Sequence, residues 1–264
     1  MLCAIRGEII KQRRNYFNSL VNYISLIFWP LLTLLTTWMS YKNYSVEMLS
    51  EIGINSQSEL FLFLLTGFLE YNCFWLMVQS AFFMRNEREN GTLEIVFLTP
   101  APRMAIIYGR AMGALYQSIW LAILYGVLLV IILDEKILVV ILLGVGIMAI
   151  TIFSAVVWGG LMNAIFLSSR DADFWFDISD EPMKLFAGVF IPINCLPFIF
   201  KIVSLIFPLT YSLEITRCVI ETHQVNVKTL IMYLMVNLMV IGLTTVIAKR
   251  AECVNRETGG YQLY

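Results

Sequence analysis

The sequence predicts an all-α integral membrane protein, and three observations support this fold class. Hydrophobic residues make up 59% of the 264 positions and charged residues only 14%, whereas about 25% of residues are charged in soluble domains. Several uncharged runs exceed the roughly 20 residues that a helix needs to cross a bilayer. Polar stretches separate those runs, as loops separate membrane spans. We expect the runs to be helices, because only helices and closed barrels satisfy all backbone hydrogen bonds in lipid.

The apolar runs divide a single transmembrane domain, residues 1–264, into six predicted spans. An amphipathic interface helix at 2–14 precedes them, because Leu2, Ile5 and Ile9 share one helical face. We do not interpret this start as a cleaved signal peptide, since the following apolar run is too long and lacks a small-residue cleavage site. The spans are expected at about 16–41, 59–84, 104–133, 137–169, 172–191 and 229–248.

The stretch RNERENGTLEIVFLTPAPR, residues 85–103, is too polar for lipid because six of its residues ionise. Asn90 is a candidate N-cap, Gly91 allows a turn, and Thr92–Leu98 has room for two helical turns. In that helix the apolar residues form a ridge on one side. The ridge consists of Leu93, Val96 and Phe97. We therefore expect a short helix along the membrane surface that offers this ridge to a partner.

The fifth span is harder to place, because RDADFWFDISDEPMK at 170–184 is strongly polar. A helix that began at Lys184 would meet Pro192 after about 8 residues, too few to cross a bilayer. A start near Ala172 gives about 20 residues and places a stripe of acids on one helical face. That stripe contains Asp173, Asp177, Asp180 or Glu181, and Lys184. The alternative is a solvated loop over 170–182, with a short broken helix starting at Pro182.

The stretch 192–227 is apolar but interrupted by Pro192, Pro197 and Pro208, and it contains Arg217. Broken and partly charged segments at membrane depth are tolerated only against protein or water. We interpret this stretch as two short helices that dip back into the outer leaflet.

Two motifs resemble those of type-2 ABC exporter permeases. The first is E-x-G-T-L-E-x-x-x-x-T-P from Glu89 to Pro100, which resembles the first cytoplasmic loop of that family. The second is G-V-F-x-P-x-x-x-L-P from Gly188, followed by P-L-T-Y and Arg217. It resembles the end of the fifth span and the re-entrant extracytoplasmic hairpin. The fifth span of this sequence is more acidic than the family pattern.

The resemblance implies that 85–103 is a coupling loop whose helix docks on a separate ATP-binding-cassette ATPase. It implies a second permease subunit, identical or different, and alternating access driven by ATP and Mg²⁺ bound in the partner. The docking residues it implies are Glu87, Glu89, Gly91, Thr92, Leu93, Glu94, Val96, Phe97, Thr99 and Pro100. The hairpin residues it implies are Pro192, Pro197, Pro208, Tyr211 and Arg217.

Orientation follows from the basic residues, which accumulate on the cytoplasmic side of membrane proteins. With Arg110 left out, the six-span arrangement places twelve Lys and Arg on the side of residues 85–103 and five on the other. We therefore expect a multi-pass protein of the cell membrane with both termini in the cytoplasm.

No catalytic motif is found in the sequence. It lacks the G-x-x-x-x-G-K-[ST] phosphate loop, and His223 is its only histidine. The five cysteines show no C-x-x-C spacing, so no metal site is predicted, and only Cys195 and Cys218 share one outer segment where a disulfide is conceivable. Basic residues are dispersed, which argues against nucleic acid as a partner. The expected partners are therefore lipid, a second permease and the ATPase, and no cofactor is expected in this chain.

Acidic residues on the second and fifth spans suggest a substrate pathway. In the type-2 family these two spans line the central cavity. The candidates are Glu70, Asp173, Asp177, Asp180 and Glu181. An acidic cavity favours a cationic or amphipathic substrate. The alternative is that Glu70 bonds between helices and that the other acids form a wetted entrance.

Two further alternatives remain open. Arg110 either extends its side chain to the cytoplasmic headgroups or, if the helices tilt, pairs with Glu70. The protein is either an exporter permease or a non-transport membrane subunit, such as a sensor or an immunity scaffold, that associates with an ATPase.

Overall fold

The computed structural model describes residues 2–16, 19–42, 54, 56–133, 137–169 and 172–258. Of these residues 89% are helical, and none of them lies in a strand. The prediction of an all-α membrane protein is confirmed. The interface helix is α1 (Leu2–Tyr16), and the first span is α2 (Leu20–Lys42).

The second span, α3, runs over 33 residues from Gln57 to Glu89, about 50 Å at 1.5 Å per residue. Ser56 caps its start by accepting a hydrogen bond from the Glu59 backbone N–H at 3.1 Å. After a turn at Asn90 and Gly91, α4 (Thr92–Leu98) forms the short helix that the loop sequence predicts. Asn90 is the C-cap of α3 rather than an N-cap, and Gly91 adopts φ = 67°, which glycine tolerates best.

The third span is broken. It consists of α5 (Arg103–Ala111), a 3₁₀ turn (Met112–Ala114) and α6 (Leu115–Leu133). The fourth span, α7 (Ile137–Ser168), approaches α3 closely at Gly159 and packs on Tyr108 of α5 at Gly160. A Cβ added at Gly159 would lie 2.9 Å from the Met77 carbonyl oxygen, while Gly144 and Gly146 have open space around them.

The fifth predicted span is shorter than expected. Helix α8 extends from Ala172 to Phe186, 15 residues or about 22 Å, and so does not cross the roughly 30 Å of hydrocarbon by itself. It ends there because the chain turns at Gly188 with φ = 90°. The alternative of a loop over 170–182 with a helix that starts at Pro182 is contradicted, since the described residues are helical from Ala172 onward and Pro182 lies inside the helix.

Prolines begin the remaining short elements, which suits residues that lack a backbone N–H. They are a 3₁₀ turn (Ile193–Cys195) after Pro192, α9 (Phe198–Ser204) after Pro197 and α10 (Pro208–Thr222). Helices α9 and α10 meet at 93°. The last helix, α11 (Val227–Thr258), contains the predicted sixth span and continues beyond it.

Within the described residues, five helical segments are long and apolar enough to cross a membrane, or six if the bent pair of α9 and α10 counts as one span. The protein is therefore a multi-pass membrane protein. Its core lies between α3 and α7, where Leu64, Phe74 and Met77 of α3 are fully buried.

Candidate functional site: the coupling helix and the face between α3 and α8

Helix α4 presents a different apolar surface from the one predicted. Leu93 and Phe97 are buried against the protein's own core, and Val96 is half-buried. The exposed apolar side chains are Ile95, at 66% exposure, and Leu98, at 85%. The predicted ridge therefore anchors α4 to the rest of the chain, because seven residues cannot form a stable helix without tertiary packing.

The other predicted docking residues divide between surface and interior. Glu89, Gly91, Thr92, Thr99 and Pro100 are exposed. Glu87 is only 5% exposed and is paired within the chain. The prediction that it is a docking residue on the surface is therefore wrong. The side chains of Arg85 and Glu94 lie outside the described part of the structure.

A buried cluster of charges joins α1, α3 and α5. It consists of Glu8, Lys11, Gln12, Glu87 and Arg110. Arg110 is fully buried and pairs with Glu87 and, at 3.0 Å from Nε to Oε1, with Glu8. Lys11 Nζ lies 2.8 Å from Glu8 Oε1 and 2.9 Å from Glu87 Oε1. Two carboxylates thus face two cations, and the charges cancel.

This cluster corrects both expectations for Arg110. Its side chain does not reach the headgroups, since it is 0% exposed, and its partners are Glu8 and Glu87 rather than Glu70. The close approach of α1 depends on Gly109, where an added Cβ would lie 3.0 Å from Glu8 Cβ. Helix α1 is therefore held directly against α3 and α5, the helices on either side of α4.

Two further arginines fasten the same region. Arg88 donates hydrogen bonds to the carbonyl oxygens of Phe166 (2.7 Å), Leu167 (3.0 Å) and Ser169 (3.0 Å), and so caps the end of α7. Arg103 lies over the Phe97 ring, 4.8 Å from its centroid, and reaches Glu252 of α11 at 3.4 Å. The flanks of α4 are thus tied to α7 and α11.

The acidic residues of the second and fifth spans do not form one set. Glu70 is fully buried and accepts a hydrogen bond from the Thr216 hydroxyl of α10. It therefore joins helices, as the alternative interpretation has it, and does not line an open face. Asp177 and Glu181 of α8 are exposed. The side chain of Asp173 lies outside the described residues.

Asp180, in contrast, turns inward and is 9% exposed. It accepts a hydrogen bond from the Tyr71 hydroxyl of α3 at 2.5 Å and one from Lys184 at 2.7 Å. Aromatic rings extend the contact between α8 and α3. The centroid of the Phe176 ring lies 4.6 Å from that of Trp75 and 4.1 Å from that of Phe82. Helix α8 therefore runs antiparallel to α3, with Asp180 near the middle of α3.

At the end of α3 opposite to α4, an open cavity of about 730 Å³ lies between α3, the turn after α8 and α10. Arg217 of α10 lines it, stacks 3.7 Å from the Phe63 ring centroid, and donates to the Phe63 carbonyl oxygen at 3.1 Å. Tyr211 is buried, and its hydroxyl donates to the Leu205 carbonyl oxygen at 3.2 Å. Cys195 and Cys218 are both free thiols. These contacts tie the bent pair together and to α3.

Comparison with protein families decides the class. The model of the family described as ABC-2 type transporter matches residues 2–220. The chain belongs to the ABC-2 type transporter family. A comparison with curated protein sequences found no match. The match spans α1, residues 85–103 and nearly all of α10, so both α4 and the face between α3 and α8 lie inside the family's domain.

As an ABC-2 type transporter chain, this protein is the membrane-spanning permease component of an ABC transporter, a class that associates with an ATP-binding-cassette subunit. Sequence reasoning did not find the pairing of Glu8 and Lys11 with Glu87 and Arg110. The only sign of this pairing in the sequence is the presence of ionised residues beside apolar runs. It also missed Tyr71 and Trp75, whose spacing of four places both on one face of α3.

Proposed function

We propose that this chain is the permease subunit of an ABC exporter in the cell membrane, with both termini in the cytoplasm. Two permeases would enclose the substrate pathway, and separate ATPase subunits would bind ATP and Mg²⁺. ATP-driven closure of the ATPases would move the coupling helices and open the pathway alternately to the two sides.

The observation that supports this proposal best is the way α4 is built. Its inner side is fixed by buried Leu93 and Phe97, and its outer side exposes Ile95 and Leu98. Apolar side chains three residues apart on a helix, such as these two, are the anchors by which a helix binds in a groove of a partner protein. We therefore assign the docking contact to Ile95 and Leu98 rather than to the ridge inferred from sequence.

The buried charge cluster gives the coupling helix a mechanical connection. Since α1, α3 and α5 are joined through Glu8, Glu87 and Arg110, a displacement of α4 would move the three helices together. Helix α3 then carries the movement to its middle, where Tyr71 contacts α8. This is a route from the ATPase to the candidate pathway.

The candidate pathway is the face between α3 and α8. Asp177 and Glu181 are exposed on α8 close to the level of the α3 midpoint, Cys73. Ionised side chains at such a depth face water or protein rather than lipid. We infer that this face borders an aqueous cavity and that a cationic or amphipathic substrate is favoured there.

The docking proposal is tested with Ile95→Ser combined with Leu98→Ser, compared with Ile119→Ser combined with Ile123→Ser. The control residues are equally apolar and are exposed on α6. The first pair is expected to abolish co-purification with the cassette ATPase and the ATP hydrolysis of the reconstituted complex in liposomes, while the second pair leaves both in place. Equal binding by both variants would contradict docking through α4.

Substrate-stimulated hydrolysis by the wild-type complex in the same liposomes separates an exporter from a membrane subunit that only borrows the ATPase. Stimulation by an amphipathic cation is the expected result. A complex that hydrolyses ATP but responds to no cation would contradict the substrate class.

A further inference from the structure

The side chain of Lys184 occupies a small cage between α3 and α8. Its ammonium lies 2.7 Å from Asp180 Oδ2 and 2.8 Å from Glu181 Oε1. The same nitrogen lies 5.3 Å from the Tyr71 ring centroid and 5.8 Å from that of Trp75. Carboxylates together with aromatic faces are the groups that bind organic ammonium ions.

The walls of this cage are held in place without Lys184. The Tyr71 hydroxyl donates to Asp180 Oδ1, the atom that Lys184 does not contact. Phe176 of α8 packs against both Trp75 and Phe82 of α3, and this contact holds the Trp75 indole in place. A site whose walls are held independently of its occupant is preorganised for binding.

The occupant, in contrast, is held by a long flexible side chain, and its ionic partners do not connect it to another helix. Both acidic partners lie on the lysine's own helix, at i−4 and i−3, and the lysine side chain remains 21% exposed. The pair with Glu181, whose side chain is 77% exposed, contributes little, so Asp180 is the main acidic partner that an incoming cation has to take over. The flexible four-carbon stem of lysine also allows the ammonium to leave while the backbone stays in place.

Charge balance favours exchange as well. Asp177, Asp180 and Glu181 carry three negative charges, and Lys184 supplies one positive charge. The described part of this face is therefore still acidic when the cage is occupied.

We propose that Lys184 is a tethered competitor in the cation-binding site of the pathway, and that an organic ammonium ion binds between Tyr71, Trp75 and Asp180 by displacing it. This inference rests on the proposed function, because it assigns the substrate's cationic group to the same face. Displacement turns the lysine stem outward. The cage therefore holds either the lysine ammonium or the ligand's ammonium group, but not both.

The test measures binding of hexylamine, which is protonated at neutral pH, to the full chain in lipid nanodiscs by isothermal titration calorimetry. Lys184→Gln removes the tethered cation and is expected to tighten binding about tenfold, or about 1.4 kcal/mol, because hexylamine no longer has to displace the lysine ammonium. Lys184→Arg keeps a cation in the cage and is expected to bind like the wild type. Lys201→Gln on α9, which removes a half-buried lysine elsewhere, is the matched control and is expected to change nothing.

Two further measurements isolate the cage. Adding Trp75→Leu to Lys184→Gln is expected to remove the gain, and 1-hexanol, the neutral analogue, is expected to bind all variants alike. Unchanged or weaker binding of hexylamine by Lys184→Gln would overturn the proposal, as would an equal gain for hexanol, which would indicate only an apolar hole. These titrations contain no ATPase, so their failure leaves the docking result unaffected, and failed docking would leave them interpretable.

Discussion

The buried charge cluster around Arg110 and the acidic face of α8 contain the same residue types but differ in burial and pairing. At the α4 end of α3, Glu8 and Glu87 are buried and pair with Lys11 and Arg110. Lys11 shares a helix with Glu8, but the pairs with Glu87 and with Arg110 link different helices. On α8, Lys184 pairs only with its own neighbours, and Asp177 and Glu181 face outward. The first arrangement joins three helices, whereas the second leaves charges available to a ligand.

The difference shows that ionised residues in a membrane protein have no single role. A buried and fully paired cluster is costly to disturb, because removal of one partner leaves a charge in a low dielectric. A pair with an exposed partner on the same helix, such as that of Lys184 with Glu181, is inexpensive to disturb. The comparison therefore predicts large effects of substitution in the cluster and small ones on the open face.

The largest effect is expected from Arg110→Met. It leaves Glu8 and Glu87 without their main buried partner and should destabilise the protein by about 3–5 kcal/mol. Thermal unfolding of the purified protein in detergent measures the loss as a lower Tm. Arg6→Met, at an exposed position of α1, is the control and should leave Tm nearly unchanged. Equal Tm values for the two variants would show that the cluster does not hold the helices.

A smaller loss is expected from Gly67→Ala, which tests how firmly the chain after α8 is held against α3. The new Cβ would lie 2.6 Å from the Val189 carbonyl oxygen and 3.2 Å from Arg217 Nη2. Overpacking of this kind costs about 1–3 kcal/mol, and the same thermal assay detects it. Gly126→Ala has open space around its Cβ in α6 and should be neutral or slightly stabilising. If both variants unfold at the wild-type temperature, the contact between Gly67 and Val189 is not tight.

The smallest effect separates the two acids of α8. Asp180→Asn weakens the acceptor of Tyr71 and removes the ionic partner of Lys184, with an expected cost of about 1–2 kcal/mol. Glu181→Gln should change stability by less than about 0.5 kcal/mol, because that side chain is 77% exposed. Urea unfolding monitored by tryptophan fluorescence compares them directly. A larger loss for Glu181→Gln would reverse the assignment of the inward and outward acid.

Local patterns predicted much of the architecture. The lengths of the apolar runs placed the helices, and the turn signal at Gly91 placed the start of α4 at the residue where the structure has it. The same patterns were misread at the fifth span, because the predicted helix was extended to Ile191 past Gly188, whose φ of 90° is typical of the glycine that follows a helix C-terminus. An added Cβ at Gly188 would lie 3.1 Å from Ile193 Cγ1.

Side-chain roles were predicted less well, and α4 shows why. Helical periodicity correctly put Leu93 and Phe97 on one side, but periodicity does not say whether that side faces the protein or a partner. The core behind α4 made that choice, and it left Ile95 and Leu98 outside. In the same way, the sequence predicted that the acids of α8 lie on one side of a helix. Only packing against Tyr71 showed that Asp180 faces inward and Glu181 outward.

The sequence by itself determined that this chain crosses a membrane several times and carries a short helix between its second and third spans. Those features depend on the length and spacing of apolar residues, which are local. Only the tertiary structure decided that Arg110 belongs to Glu8 and Glu87, that Glu70 belongs to Thr216, and that Lys184 lies between two rings. A charge takes the partner that neighbouring helices bring within a few ångströms, and that proximity is a property of packing.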